Sequence, residues 1–486
     1  MPEKPGSFNL LTESWIPVLF LDGTIRHVGI LEALMKADRI REIAASNPMD
    51  RLGVLRFLLA LLYWCKGNPP TDPQGMVAKG FPSECFARLD ERQDAFNLLG
   101  EGKRFFQYRS LSGGKPPGER AIFNLLHEIP NGTNHRHFLH VTEGIEGVCP
   151  ACCAMGILRQ PVFATSGGRG YAPGINGTPP LYAVPLGTNL AETLVNSWTP
   201  STSTDLGVPA WDQPDQSLPP SGEVPPLLGL TWISRQLWLG DPDPEPELCL
   251  SCGRPGHLIR HTVMAPAGSP KTDGDGPGRI WRDPHVLHTE DRKGNPYPLS
   301  ARDPIPASDA ASGQWTRIVG AALKHRAEER LQQSFWIVGF ATDKAKYLEA
   351  VEYRLDLGSG TDTTEAVAGK LLRWQQQVAG LGKRLVPKNK SSHRKHEEIR
   401  PLVDGIRPHV ERTVAAEAGR LAGGDDTAWA EAADAFRPLM GAVSRSLAPG
   451  FTTSAVERRQ KVSRVRPEIP KDDIPPTGGE KGGKAP

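Results

Sequence analysis

Two Cys-x-x-Cys pairs constrain the fold of this 486-residue chain more than any other feature. They are Cys149-Pro-Ala-Cys152 and Cys249-Leu-Ser-Cys252, and a glycine follows the second pair. The spacing places both thiolates of a pair on one tight turn, at the angle that a tetrahedral ion needs. Seven cysteines scattered over this length would give only about 0.1 such pairs by chance. The two pairs therefore favour a metal site.

Four thiolates would complete the coordination of Zn2+ and leave no position for water, so the predicted ion is structural. The gap between the pairs is far longer than the ~15–20 residues of an ordinary zinc ribbon. Two unrelated pairs, or reduced surface thiols, therefore stay open as the alternative. We interpret Cys153 as a buried small residue rather than a substitute ligand, and Cys65 and Cys85 as core positions.

The composition excludes several classes of protein. Lysine and arginine total 57 against 55 acidic residues, a net charge of +2, which argues against a protein that coats nucleic acid indiscriminately. Hydrophobic residues make up 38%, enough for a packed core. The most apolar stretch, 52–65, contains Arg56 and is shorter than the ~20 residues that span a bilayer. The opening residues show no secretory signal. We expect a cytoplasmic protein with no membrane partner.

Composition shifts along the chain predict an α+β fold. Residues 1–358 are expected to form a large mixed domain with a zinc-knuckle-like element of four cysteines. Residues 359–466 are expected to form a C-terminal four-helix bundle, and residues 467–486 a disordered tail.

Local patterns predict individual elements of the first domain. Short strands should flank the Asp22-Gly23 turn, apolar residues between Leu31 and Ile43 have helical spacing, and an apolar helix should follow Pro48. Residues 199–226 are expected to be a long surface loop. The further expected elements are a short strand beginning at Ile280 within the irregular segment 265–306, and helices at 318–331, 348–355, 365–385, 396–421, 428–447 and 454–465.

Two segments beside the first cysteine pair have compositions suited to nucleic acid. Residues 131–141 combine histidines, an arginine and asparagines, which can hydrogen-bond bases or phosphates, with a phenylalanine that can stack. A second metal cluster of His135, His137 and His140, or a polar loop with one core phenylalanine, is the competing interpretation. Residues 166–170, Ser-Gly-Gly-Arg-Gly, can expose backbone amides to phosphate or to a minor groove, although most such loops are only turns.

Basic residues cluster in the predicted bundle. Such clusters can follow a phosphate backbone without reading sequence, although a solvated helical face is the ordinary alternative. The residues that we single out, in a linker between two predicted helices, are Lys388, Lys390, Arg394 and Lys395; a second cluster lies at 458–466.

Together these features resemble the CasA family, the large subunits of the type I-E CRISPR surveillance complex Cascade. The resemblance spans nearly the whole length. It rests on the opening Phe-Asn-Leu-Leu-Thr-Glu-Ser-Trp-Ile-Pro-Val at 8–18, the two cysteine pairs, the Trp-Thr-Arg-Ile segment at 315–318 and the predicted bundle.

The resemblance implies a non-catalytic subunit among the crRNA-containing Cascade subunits. Such a subunit recognises the short PAM in double-stranded DNA, largely from the minor-groove side, helps to open the duplex, and presents the displaced strand to a helicase–nuclease. Guide pairing then supplies most of the sequence discrimination.

The resemblance also implies which residues contact DNA. Phe138, Leu139 and His140 match the family's PAM loop, with His140 in place of an asparagine. The family's basic hairpin is expected between residues 257 and 271, with Arg260 and Lys271 as its candidates. The family's glycine loop matches Gly167, Gly168 and Gly170, with a bulkier Arg169 between them.

Two other functions compete with this hypothesis. One is a stand-alone metal-dependent nucleic-acid hydrolase that uses the histidine cluster, although no paired carboxylates lie near it. The other is an architectural scaffold in which the glycines are only turns. The sequence contains no Walker loop, His-Glu-x-x-His, Gly-x-Ser-x-Gly or deaminase motif.

Overall fold

A computed structural model of the chain divides it into two compact units, residues 1–302 with 338–352, and residues 303–337 with 353–486. In the second unit the structure describes only 334–337 and 353–356. The predicted boundary at 358, the bundle, the tail and the helix at 318–331 lie outside the described residues. The described residues are 7–71, 74–108, 119–126, 147–165, 171–177, 179–201, 205–213, 218–219, 222–249, 251–266, 279–286, 288–290, 296–298, 334–343 and 346–356.

The described part confirms the predicted mixture of helices and strands. The helices are α1 (Ile30–Met35), α2 (Pro48–Lys66), α3 (Gln74–Lys79), α4 (Ala87–Glu91), α5 (Pro150–Leu158), α6 (Gln160–Phe163), α7 (Leu190–Ser197) and α8 (Pro226–Thr231). Short 3-10 turns lie at Ser83–Phe86, Gln93–Phe96 and Ile122–Leu125.

The strands are short except for the last two. They are β1 (Phe8–Asn9), β2 (Ile16–Phe20), β3 (Ile25–Val28), β4 (Ile40–Ile43), β5 (Asn97–Leu99), β6 (Glu119–Ala121), β7 (Tyr182–Pro185), β8 (Gly222–Glu223), β9 (Arg235–Leu239), β10 (Pro246–Leu248), β11 (Pro255–His257), β12 (His261–Pro266), β13 (Arg279–Ile280), β14 (His288–Glu290), β15 (Pro296–Pro298), β16 (Ser334–Asp343) and β17 (Lys346–Asp356).

Three of the described sheets have three strands, in the orders β3-β2-β4, β6-β12-β9 and β17-β16-β7. In the first, Val18 pairs with Arg26 on one side and Ile43 on the other, both antiparallel. In the second, β12 is the centre, and both of its neighbours run antiparallel to it. The two-stranded sheets are β1-β5, β10-β11, β14-β15 and the parallel pair β13-β8.

Helix α2 forms the centre of the core. The Asn47 side chain accepts a hydrogen bond from the Met49 amide, Pro48 occupies the first turn, and Gly67 ends the helix with φ +80°. Every residue from 52 to 64 is buried. The helix predicted after Pro48 is therefore confirmed. Among the described residues, no helix is long and apolar enough to cross a membrane.

An aromatic cluster packs against α2 and includes a residue from the predicted surface loop. Trp211 is 1% exposed, and its ring lies 5.5 Å from that of Phe57 and 5.6 Å from that of Trp64. The segment 199–226 lacks regular structure over most of its described length, as predicted, but it is wrong to regard all of it as surface. The remaining aromatic rings of the cluster belong to Phe96, Phe105 and Phe106.

A buried ion pair fixes the irregular segment after β13 to α2. The Arg56 guanidinium donates to both carboxylate oxygens of Asp283, at 2.6 and 2.7 Å, and both side chains are 1% exposed or less. Asn176 also donates to Asp283, at 2.9 Å. The expected strand at Ile280 is confirmed only for Arg279–Ile280, because the chain turns inward at Asp283 to reach Arg56.

Two helix predictions are corrected. Residues 348–355 lie in strand β17, because the long strand β16 offers a hydrogen-bonding edge that outweighs the helical spacing of Leu348, Val351 and Leu355. Of the helix predicted between Leu31 and Ile43, only the first half forms, as α1; the second half is strand β4, paired with β2.

Replacing Asp283 with Asn should lower the free energy of unfolding by about 3–5 kcal/mol, because the Arg56 charge stays buried without a counter-charge. Burial raises the pKa of Asp283, but Arg56 outweighs it and lowers the value to about 2. This contribution to stability should thus be full above about pH 4 and be lost as the pH falls towards 2. Denaturant unfolding at several pH values measures both effects. The control is Asp22→Asn, which removes an exposed ion pair with Arg26 and should change the free energy of unfolding little. Equal losses of free energy in the two variants would contradict the stabilising role of the buried Arg56–Asp283 pair.

Candidate metal centre

The two cysteine pairs meet in space. The four Sγ atoms of Cys149, Cys152, Cys249 and Cys252 all lie within 4.8 Å of one another. The Cys149–Cys252 and Cys152–Cys249 sulfur distances are both 3.7 Å. A tetrahedral ion with Zn–S bonds of about 2.3 Å requires sulfur separations of about 3.8 Å. The donor set therefore fits Zn2+, and the alternative of two unrelated pairs is wrong.

The first pair is placed by the start of α5. Cys149 is the N-cap residue of this helix, Pro150 occupies its first turn, and Cys152 lies within the same turn. Unpaired amides and the helix dipole make the beginning of a helix favourable for negative charge. This position therefore places the first pair where negative charge, such as that of metal-bound thiolates, is favoured.

The second pair is placed by a hairpin turn between β10 and β11. The Cys249 amide donates to the Arg254 carbonyl at 2.8 Å, and the Gly253 amide donates back to the Cys249 carbonyl at 2.7 Å. Gly253 has φ +70°, a conformation that other residues rarely adopt. The glycine after the second pair thus allows the turn that aims Cys249 and Cys252 at the first pair.

Backbone contacts join the two half-sites independently of any ion. Val148 and Ile259 exchange two backbone hydrogen bonds, of 3.1 and 2.9 Å. The Cys149 amide donates to the Cys249 sulfur at 3.3 Å. The geometry for the ion is therefore prepared by the fold.

The cluster favours loss of protons from the second pair. The neighbouring thiols of Cys149 and Cys152 lower the pKa of Cys249 to about 6, and the Cys149 amide adds to the effect. The same two thiols, together with that of Cys249, lower the pKa of Cys252. The pKa values of Cys149 and Cys152 are raised instead, so without an ion the cluster places its negative charge on the second pair.

The other cysteines lie outside the cluster. Cys153 is fully buried and its thiol donates to the Val148 carbonyl at 3.9 Å, so the interpretation as a buried small residue is confirmed. Cys85 is buried, as expected for a core position, whereas Cys65 is only partly buried.

The two predicted DNA-contacting segments flank α5 and α6 in the sequence. The PAM-loop residues Phe138, Leu139 and His140 lie outside the described residues, as does the rest of the histidine cluster. The described chain resumes at residue 147, two residues before Cys149. A Cβ at Gly147 would come within 2.9 Å of the Leu258 side chain, so a glycine is needed for this close approach.

The glycine segment, with Gly167, Gly168, Arg169 and Gly170, also lies outside the described residues, but both of its ends are described. Arg235 donates to the Thr165 carbonyl on one side. On the other side, the Tyr171 hydroxyl donates to the Met264 carbonyl and accepts from Arg120, both at 3.1 Å. The sequence analysis missed these three anchoring residues, and the pairing of distant strands that unites them has no local sequence signal.

Of the basic residues predicted to contact DNA, the structure describes only Arg260. Arg260 lies between two carboxylates, 2.8 Å from Asp243 and 2.8 Å from Glu247, which neutralise much of its charge. Its role in binding DNA stays a prediction. Lys271, Lys388, Lys390, Arg394 and Lys395 lie outside the described residues.

Comparison with solved structures identifies the fold. The crystal structure of Thermus thermophilus CasA matches 95% of this chain and 100% of its own, at 21% identity and a TM-score of 0.61. Thermobifida fusca Cse1 matches 96% of this chain and 97% of its own, at 20% identity and a TM-score of 0.63. A chain of a CRISPR RNA-guided surveillance complex matches 95% of this chain and 99% of its own, at 16% identity and a TM-score of 0.63. The fold is thus that of the CasA and Cse1 proteins.

The chain belongs to the CRISPR-associated protein Cse1 family, whose model matches residues 9–464. A curated CasA/Cse1 protein of Thermus thermophilus is 33% identical over an alignment of 309 residues, and the match covers 59% of this chain. The matched part spans 56% of the length of that relative. The resemblance to the CasA family is therefore confirmed.

We expect the purified chain to contain about one Zn2+, held by four thiolates. Cys249→Ala should abolish most of this content and lower the melting temperature, because three sulfurs no longer close the coordination sphere. Cys153→Ala is the matched control, since it removes a neighbouring sulfur that lies outside the cluster, and it should retain the ion. Elemental analysis and thermal unfolding measure the two effects; equal zinc content in the two variants would show that the cluster does not bind the ion.

Proposed function

We propose that this chain is the non-catalytic large subunit of a cytoplasmic crRNA-guided surveillance complex. In this role it recognises the PAM in double-stranded DNA, aids opening of the duplex, and helps to recruit a helicase–nuclease to the displaced strand. Its partners are the crRNA-containing Cascade subunits and the target DNA. The proposal includes no membrane partner. Membership of the Cse1 family and the likeness to a chain of a surveillance complex support this proposal.

The convergence of the four cysteines is the observation that carries the proposal. In sequence, the predicted PAM loop at 131–141 precedes α5, and the glycine segment at 166–170 follows α6. An ion at the cysteines would fix the start of α5, and through the α5–α6 region it would limit where the two segments can lie. Two segments held in this way could contact adjacent parts of one duplex.

The closed donor set supports a non-catalytic role. A catalytic zinc ion usually keeps one position open for water or substrate, whereas four thiolates leave none. When bound, the ion would supply cross-linking of two chain segments. The residues of the protein would then recognise the DNA by direct contact and by its shape.

The predicted contacts suit loose recognition of a minor groove. This groove offers a degenerate pattern of acceptors, so one or two polar groups and exposed amides suffice to distinguish a short motif. An aromatic side chain such as Phe138 can insert between base steps and favour opening of the duplex. His140 can donate a hydrogen bond to a base edge, and the glycine amides can approach the backbone closely.

Binding of duplex DNA by the reconstituted complex tests the proposal. The wild-type complex should bind a PAM-bearing duplex at least about fivefold more tightly than a duplex without the PAM. Phe138→Ala and His140→Ala should each reduce this preference without lowering the melting temperature. Competition binding against a library of flanking sequences measures the preference without assuming the PAM bases.

The matched control is His135→Ala, which lies in the same segment but outside the three positions that resemble the PAM loop, and it should keep the preference. Equal affinity of the wild-type complex for all flanking sequences would defeat the proposal. Turnover of DNA by the isolated chain with a divalent metal, lost on replacing His135 or His137, would instead support a hydrolase.

A further inference from the structure

Two arginines on one sheet flank the ring of Tyr171. Arg120 lies on β6 and Arg235 at the start of β9, and their guanidinium carbons are 5.3 and 5.6 Å from the centre of the Tyr171 ring. Their pairing partners on the central strand β12 are Thr262 and Pro266, an even number of residues apart. Side chains at such positions share one face of a sheet. The two cations therefore converge on the same aromatic residue.

Arg235 differs from the other buried arginines of the described chain. Arg56 and Arg159 each donate twice to an aspartate, and Arg104 lies 3.6 Å from Asp241. Arg235 is only 8% exposed, yet its partners among the described residues are the Thr165 carbonyl, the Ser234 hydroxyl and the Tyr171 ring. A buried charge without a counter-charge is costly.

The electrostatic consequence is visible at Arg235. Burial lowers the pKa of its guanidinium to about 10, the Tyr171 ring opposes this, and the nearby charge of Arg120 lowers it further. Two like charges close together, one of them poorly hydrated, form a favourable position for an anion. Arg120 is exposed, and in the described part of the chain its one hydrogen bond is to Tyr171. Several of its donors therefore face solvent.

The position of the pair indicates which anion. Arg235 holds the residue before the glycine segment and Arg120 holds the residue after it. Planar guanidinium groups match the oxygens of a phosphate, so two guanidinium groups on one aromatic ring favour a phosphate as the anion.

We propose that Arg120, Tyr171 and Arg235 form a phosphate-binding site for a backbone phosphodiester of the target duplex. Arg120 contacts the phosphate, Tyr171 orients Arg120, and Arg235 supplies a second, fixed positive charge while it holds the glycine segment. The inference rests on the proposed function, because it takes the bound nucleic acid to be the target duplex. A phosphate contact positions the duplex but reads no base.

Arg120→Gln in the reconstituted complex tests the site, since it removes the charge at an exposed position and keeps a hydrogen-bond donor. We expect affinity to fall about three- to tenfold on PAM-bearing and PAM-less duplexes alike. The slope of log K against log salt concentration should also become shallower by about 0.9, the value for one phosphate contact. Equilibrium binding at several salt concentrations measures both quantities.

Two further variants sharpen the result. Arg120→Lys keeps the charge and should keep a slope close to that of the wild type. Arg26→Gln removes an exposed arginine that is paired with Asp22 on a different sheet, and it should leave affinity and slope unchanged. An equal loss of slope in Arg26→Gln and Arg120→Gln would overturn the site, because the effect would then reflect net charge alone.

The remaining outcomes also decide the question. Unchanged affinity and slope in Arg120→Gln would overturn the site. Failure of the Arg120→Gln chain to join the complex would overturn the site as well, because Arg120 would then contact another subunit or its crRNA and not the target duplex. Failure of the proposed function is distinguishable, since it appears as a lack of PAM preference in the wild type, whereas the site is measured by the change of salt slope on any duplex.

Discussion

Four sulfur atoms with a closest spacing of 3.7 Å determine how distant parts of this chain are held together. One pair begins a helix and the other lies in a hairpin turn, so neither half-site alone can close around an ion. Bringing them together closes a loop of about 100 residues, whose entropic cost grows only slowly with length. The backbone bonds between Val148 and Ile259 offset part of this cost, and binding of an ion to thiolates would add its own free energy to folding.

Helix α5 connects the cysteine cluster to the core. At its far end, Arg159 forms two hydrogen bonds with Asp50 of α2, at 2.6 and 2.9 Å. Gly53 lets the two helices approach so closely that a Cβ there would lie 3.0 Å from the Leu158 carbonyl oxygen. Since α2 is buried along most of its length, the cysteine cluster is tied to the most densely packed part of the molecule. Both ends of α5 are therefore held in place, one by the contacts of the cysteine cluster and the other by Asp50.

Features set by neighbouring residues could be predicted from the sequence, and features set by distant partners could not. The Cys-x-x-Cys spacing, the glycine after Cys252 and the capped helix after Pro48 are local, and the structure confirms each of them. Strand β17 was predicted as a helix because its spacing is ambiguous until β16 lies beside it. Burial of Trp211 and Asp283, in segments that appear irregular, depends on aromatic rings and an arginine far away in the chain. The DNA-contacting residues implied by the family resemblance stay predictions.

The ion pairs of the described chain divide its arginines into two kinds. Arg56 and Arg159 are neutralised by aspartates and stabilise the packing of α2, so they offer nothing to a ligand. Arg235 is also buried, but among the described residues it has no carboxylate partner and donates to the Thr165 carbonyl instead. A net charge of +2 conceals this distinction, because it sums compensated and uncompensated charges alike. For the duplex binding that we propose, a few charges of this kind beside the glycine segment would position the DNA without reading its bases.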